Sequence, residues 1–189
     1  IIYLLKKLYS ETKIPILFVS HSVQDLINLT SKTIVFDSGK IIYFDKTKKV
    51  VSKFDVRMNN ISSERSNFIE TVIESHDQKY GLTKLIFDNN ILTTSLINKE
   101  QGSKVLVKIL SKDIFISKVK PDAISIRNIF RGKINEILPV NKTFVDIFLT
   151  VGSNNLISRI TSYSLKHLGL HKDEEVYLLI KSTMIEKII

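Results

Sequence analysis

Lys104-Val105-Leu106-Val107-Lys108-Ile109-Leu110, followed by Ser111 and Ile114, is the stretch on which the reading of this chain turns. Its aliphatic and β-branched residues, bounded by polar ones, suit a short strand. The same order returns near the C terminus, where Val176-Tyr177-Leu178 precedes Ser182 and Ile185. Further upstream, Ile69 to Ile73 resembles Ile134 to Leu138 in pattern. The second copy adds a helix-like insert, Ser162 to Leu168, with Thr161 or Ser162 as its N-cap.

Working outward, the C-terminal two thirds reads as short alternating strands without a long helical pattern. Candidates are Phe68 to Glu74, Leu82 to Phe87, Ile91 to Leu96, Lys104 to Leu110, Gly132 to Leu138, Phe144 to Val151, Leu156 to Ile160 and Glu175 to Ile180. Asn89-Asn90, Gly102 and Gly152 supply turns between them. Two copies of roughly 55 to 60 residues, mostly strand, predict two small five-stranded barrels of the OB type.

The N-terminal third has another texture. Ile1, Leu4, Leu5 and Leu8 form one apolar stripe of a helix that Pro15 brings to an end. Ile14 to Val19 is almost wholly apolar, which predicts a strand buried on both faces of a parallel sheet. A second helical pattern runs through Leu26, Ile27 and Leu29. Thr33 to Phe36 and Lys40 to Phe44 then form a hairpin around Asp37-Ser38-Gly39. Helix, buried strand, helix and hairpin read as the tail of an α/β domain. Lysines at 46, 48 and 49, then polar residues from Asn59 to Asn67, mark a linker. The expected organisation is residues 1–55 as the α/β part, 56–67 as linker, 68–122 as the first barrel and 123–189 as the second.

Composition narrows the function classes. The absence of cysteine excludes disulfides, thiolate metal sites and cysteine nucleophiles. No apolar run is long enough for a transmembrane helix. His76, His167 and His171 have no partners at metal-ligand spacing and read as surface or loop residues; no metal site is expected. The first methionine is Met58, inside patterned sequence, which fits a piece of a longer protein. Twenty-eight basic against 19 acidic residues give a formal charge of +9. That charge on OB-like barrels is compatible with nucleic acid. However, tryptophan is absent, aromatics are few in the β half, and the lysines are spread along the whole chain. A nucleic-acid partner is therefore not expected.

Ser20-His21-Ser22 stands where the apolar run ends and a helix begins, the end of a strand at which open α/β sheets bind ligands. A histidine there either contacts a phosphate or attacking water, or only satisfies the strand end. With the hairpin Ile34-Val35-Phe36-Asp37-Ser38-Gly39-Lys40-Ile41, this stretch resembles the end of an ABC transporter ATPase domain. The resemblance implies that His21 is the switch histidine, catalytic in positioning water and sensing the γ-phosphate. Asp37 reads as a turn residue, not a Mg²⁺ ligand. The phosphate-binding pattern G-x-x-x-x-G-K-[ST] and the family's signature are both absent from the 189 residues. The chain alone is therefore not expected to be a competent ATPase.

A second resemblance lies in four spaced elements: Ser125-Ile126-Arg127-Asn128, then Gly132-Lys133-Ile134, then Ile160-Thr161 with Ser164, then Ile180-Lys181-Ser182-Thr183. In this order they are similar to a molybdate-binding Mop domain. A tetrahedral dianion needs N–H and O–H donors with one or two positive charges and no acceptors facing it. The resemblance assigns Ser125, Arg127, Asn128, Lys181, Ser182 and Thr183 to that site. Taken by themselves, Arg127 and Lys181 also fit solvated surface charge.

Joined, the two resemblances imply the ATP-binding subunits of molybdate ABC transporters. The fold class is then an α/β remnant ending a P-loop ABC ATPase domain, followed by all-β OB-like barrels of the Mop/TOBE kind. The family implies ATP and Mg for the longer parent, with molybdate or tungstate as the bound anion. It also implies a homodimer through the ATPase and Mop domains and membrane-embedded permease partners. The location implied is cytoplasmic, peripheral on the inner face of the cell membrane. Two alternatives stay open: a non-catalytic oxyanion-binding Mop module, and an OB-type nucleic-acid-binding protein.

Overall fold

The computed structural model describes residues 2–20, 23–37, 39–47, 50 and 65–188, in two compact units, 1–59 and 60–189. The first unit holds α1 (Ile2–Thr12), α2 (Val23–Leu29) and the strands β1 (Lys32–Asp37) and β2 (Lys40–Lys46). Helix α1 closes before Pro15 with Lys13 in the left-handed region at φ 56°, its N–H still reaching Tyr9 O at 3.0 Å. Strands β1 and β2 pair antiparallel from Lys32↔Lys46 to Asp37↔Lys40. The hydroxyls of Thr30, Thr33 and Thr47 bond to one another at 2.8–3.3 Å and tie the end of α2 to the base of the hairpin.

One expectation fails here. Ile14 to Val19 is not a strand: Leu17 is 90% exposed and Val19 89%. A strand exists only through its neighbours. Among the described residues, the sheet of this unit contains β1 and β2 alone, so the apolar run has nothing to pair with.

The described residues of the second unit contain ten strands: β3 (Ser66–Asp77), β4 (Leu82–Phe87), β5 (Asn90–Ser95), β6 (Lys104–Leu110), β7 (Ile114–Ser117), β8 (Asn128–Pro139), β9 (Phe144–Val151), β10 (Asn154–Thr161), β11 (Glu175–Ile180) and β12 (Ile185–Ile188). Helix α3 (Ser162–Leu168) stands between β10 and β11. Thr161 caps it by accepting the N–H of Ser164 at 3.0 Å, and Gly169 ends it in the left-handed conformation at φ 58°.

All pairing in this unit is antiparallel, in two five-stranded sheets ordered β12-β6-β3-β4-β5 and β7-β11-β8-β9-β10. Written this way, the internal repeat becomes visible position by position, and so does an exchange. Strand β7 follows β6 in sequence but pairs with β11, while β12 follows β11 but pairs with β6. The last strand of each copy completes the other copy's sheet. Short 3-10 turns at Ser111–Asp113 and Ser182–Met184 redirect the chain into these crossings.

The two long strands β3 and β8 are both bulged, between Ile73 and Ser75 and between Ile134 and Glu136, which bends each sheet around its core. The bulges match Ile73 with Ile134. The pattern match of Ile69–Ile73 with Ile134–Leu138 is therefore slipped. An even-numbered slip leaves inward and outward positions unchanged, so alternation cannot reveal it.

Apolar side chains of both sheets form one continuous core, with Ile69, Leu85, Leu92, Val107, Ile134, Ile147, Leu149 and Leu178 fully enclosed. Phe87 and Phe130 meet edge to face across it at 5.3 Å between centroids. At Gly132 the packing leaves no room for a side chain, since a Cβ would lie 2.6 Å from Leu178 Cδ1.

Candidate functional site

Strand β8 begins where the antiparallel pair with β11 ends, at Asn128↔Ile180. Arg127 immediately precedes Asn128 and Lys181 immediately follows Ile180, so the two cations flank this end of the pair. Ser125, Arg127, Lys181 and Thr183 are exposed, and Ser182 is half-buried. Among the described residues neither Arg127 nor Lys181 has an acidic partner. Positive charge with hydroxyl donors nearby is the kind of surface that favours an anion.

Asn128 stands beneath this group with its polar atoms committed. It is 1% exposed. Its Oδ1 accepts the N–H of Thr93 at 2.6 Å, and its Nδ2 donates to Thr93 O and Ile180 O at 3.0 Å each and to Ser182 Oγ at 3.5 Å. Thr94 adds a bond from its hydroxyl to Ser182 O at 3.4 Å. Asn128 thus fixes the strand end from which Lys181 and Ser182 project. Its counterpart in the first copy is Asn67, 4% exposed, which donates to Ile109 O and Ile157 O at 3.2 and 3.0 Å and accepts from Ile157 N at 2.6 Å. Each asparagine reaches from its own sheet to an edge strand of the other, satisfying backbone groups that no strand there pairs.

Thr161 and Ser164, part of the same sequence pattern, lie elsewhere. They line a surface depression of about 390 Å³ with Lys112, Phe115, Phe144 and Arg159. Arg127 and Lys181 thus flank one strand end, followed in the chain by Ser182 and Thr183, whereas Thr161 and Ser164 line the depression. His21 and Ser22 lie outside the described residues.

Sequence reasoning missed several polar groups. Half-buried His76 in β3 has Nε2 2.9 Å from Lys99 O and Nδ1 2.9 Å from Thr83 Oγ1, so it pins a loop rather than standing in one. A carbonyl can only accept, which puts the proton on Nε2. Asp146 in β9 is fully buried between Arg65 and Arg159. At the hairpin tips, Asp88 accepts Ser153 N at 2.8 Å, the Ser153 hydroxyl and Asn154 Nδ2; the Ser153 backbone N–H is the main cause holding its carboxyl below the ordinary range. Lys118 does the same for Glu174, and Lys133 for Asp173. None of these pairs is spaced in a recognisable motif, because partners distant in sequence leave no local signal.

Among the described residues no cluster of three potential metal ligands occurs, and no helix is long and apolar enough to cross a membrane.

Two interlocked five-stranded barrels with cations at a strand end define a class, and comparison agrees with it: the TOBE domain profile matches residues 124–185. The fold is similar to that of a solved cytoplasmic molybdate-binding protein, ModG, at TM-score 0.56 and 14% identity, covering 65% of this chain and 95% of that one.

At the level of individual proteins, the chain is similar to molybdenum import ATP-binding proteins named ModC. That of Photobacterium profundum is 29% identical over 97% of this chain and 52% of its own length. That of Mannheimia succiniciproducens is 29% identical over 96% of this chain and 51% of its own. The chain thus spans about half the length of the relatives it matches. The likeness runs through both units, which agrees with the reading of an ATPase-domain end joined to OB-like barrels.

Proposed function

We propose that this chain is the C-terminal part of the ATP-binding subunit of a molybdate importer, and that its second unit is an oxyanion-binding regulatory module. The observation that carries the reading is the similarity to ModC proteins along 97% of the chain; Arg127 immediately precedes Asn128 and Lys181 immediately follows Ile180, the residues at which the β8–β11 pair ends. In this reading the two cations supply charge to molybdate or tungstate, while Ser125, Ser182 and Thr183 supply hydroxyl donors. Asn128 positions Lys181 and Ser182 from below. Thr161 and Ser164 lie in another wall, which favours a site completed between two copies of the chain, so the subunit acts as a homodimer.

The first unit supports a larger ATPase domain. Ile34 and Phe44 oppose each other on one face of the hairpin, 40% and 55% exposed, beside Phe36 at 58%. Apolar cross-strand pairs of this kind belong against a core. In the complete subunit, ATP with Mg drives import through membrane-embedded permease partners at the inner face of the cell membrane, and His21 positions the attacking water. The residues of this chain do not themselves fit Mg·ATP: they contain no phosphate-binding loop and, among the described residues, no cluster of potential metal ligands. ATP hydrolysis therefore belongs to the longer protein.

Calorimetry with sodium molybdate on the whole chain tests the module. Saturable heat is expected, with affinity falling by about tenfold or more in Arg127→Ala and in Lys181→Ala, as the loss of a charge-assisted hydrogen bond predicts. An absence of heat at millimolar anion in the unaltered chain rejects the binding reading.

A further inference from the structure

The internal repeat supplies its own control. Each copy sends its last strand to the other sheet through a short 3-10 turn, Ser111–Asp113 before β7 and Ser182–Met184 before β12. Both strands have four residues, and each pairs with one strand, β7 with β11 and β12 with β6. The turns occupy matching places, because Ile109 pairs with Asn67 as Ile180 pairs with Asn128. Their ties can therefore be compared bond by bond.

The first crossing is well fixed. Ser111 N donates to Arg65 O at 2.8 Å, which extends the β3–β6 ladder by one step. Ile114 N donates to Ser111 O, and Ser158 Oγ donates to Ile114 O at 2.6 Å. The second crossing is held less. Among the described residues, Ser182 N and Ile185 N make no bonds corresponding to those of Ser111 N and Ile114 N. Within the turn Met184 N donates to Lys181 O at 3.0 Å. The remaining ties are long, Asn128 Nδ2 to Ser182 Oγ at 3.5 Å and Thr94 Oγ1 to Ser182 O at 3.4 Å. Strand β12 itself adds Glu186 to Lys108 and Lys187 to Ser95, side-chain bonds at exposed positions that contribute little. The crossing with fewer protein ties is the one whose residues, Lys181, Ser182 and Thr183, belong to the oxyanion motif. At the first crossing Leu110, Ser111 and Lys112 stand in their places.

We propose that a bound tetrahedral oxyanion is the missing tie: its contacts with Lys181, Ser182 and Thr183 fix the second crossing and thereby hold β12 on β6. The inference rests on the oxyanion reading above and adds what occupancy does. Ile185 follows the turn directly and is 5% exposed in the shared core, so release of the whole strand displaces Thr183 and Met184 with it. A ligand that needs the ordered turn favours the attached strand by its ratio of affinities for the two states. The attached strand strengthens binding by the same factor. Anion level is thus reported as attachment of a strand to the first copy's sheet. Strand β7, tied by the protein alone, does not respond.

Hydrogen exchange on the whole chain, with and without saturating sodium molybdate at equal ionic strength, tests the proposal beside calorimetry. Amides of Glu186–Ile188 should slow about tenfold or more, the size expected for one hydrogen bond to a charged partner. Those of Ile114–Ser117 should slow by distinctly less. Removing residues 186–189, which leaves Ile185 in the core, should weaken molybdate binding by the same factor that exchange reports for β12. Equal slowing in β7 and β12 is stabilisation of the whole unit and overturns the proposal. Unchanged affinity in the shortened chain overturns it too. Heat on adding molybdate without slowing in β12 rejects this inference alone, whereas no heat in the unaltered chain rejects the oxyanion reading and the tie with it.

Discussion

Asn67 and Asn128 show how much a single side chain can decide in this fold. Each carries one acceptor and two donors, the complement needed by an edge-strand residue that has lost its ladder partner. Replacing Asn67 by alanine leaves Ile157 N and Ile157 O without their bonds. The expected cost is about 2–4 kcal/mol, readable as a lowered urea midpoint with an unchanged slope. A variant within half a kcal/mol of the parent would show that water replaces the amide there. Asp88 makes a pH-dependent contribution at the same scale. Its folded pKa is depressed, chiefly by Ser153 N–H. The stabilisation is thus complete above the ordinary aspartate value of about 4 and is lost as pH falls through the lowered folded value. Asp88→Asn should flatten the fall of melting temperature between about pH 5 and pH 2. Parallel curves for parent and variant would assign the acid sensitivity to Asp173 and Glu174 instead.

Elements carry the next level of information, and here the local pattern served well for some strands and poorly for others. Strands β4, β6, β9 and β11 and helix α3 begin and end at the residues read from the sequence, because each is bounded by turn residues or a cap. Strands β7 and β12 were not read as strands. Each has only four residues, too few for a period to show, and each is held by a partner from the other copy. Ile14–Val19 failed for the opposite reason, a strong apolar pattern without a neighbour. The exchange gives a test at this scale. Removing residues 185–189 strips β12 from β6 while leaving the β8–β11 pair intact. Hydrogen exchange should accelerate in Lys104–Leu110, which pairs with β12, more than in Phe144–Val151. Equal acceleration in both would mean that the sheets do not open separately.

At the scale of the molecule, exchanged strands and a shared core make the second unit one cooperative body despite its internal repeat. Neither sheet has all five strands without the other copy's last strand, and the enclosed side chains form a single cluster. Residues 60–189 should therefore unfold in one transition, with calorimetric and van't Hoff enthalpies equal. Leu85→Ala in one sheet should lower that single midpoint, with a cost of about 2–5 kcal/mol. Two resolved transitions would instead show barrels that fold independently. The proposed site shares this dependence, since Asn128 ties its strand end to Thr93 of the first copy.

The sequence by itself determined the division into an α/β part and a β part, the repeat, most strands, and the motifs proposed for the oxyanion site. These are local patterns: alternation, turn residues, a helix cap, and short motifs whose donors and charges suit one ligand chemistry. Only the tertiary structure decided which sheet each short strand joins, and that Asn67 and Asn128 span the two sheets. It also buried Asp146 between two arginines and set Thr161 and Ser164 apart from Arg127 and Lys181. Pairings between distant residues are fixed by what neighbours them in space, and a linear pattern of period two carries no label for its partner.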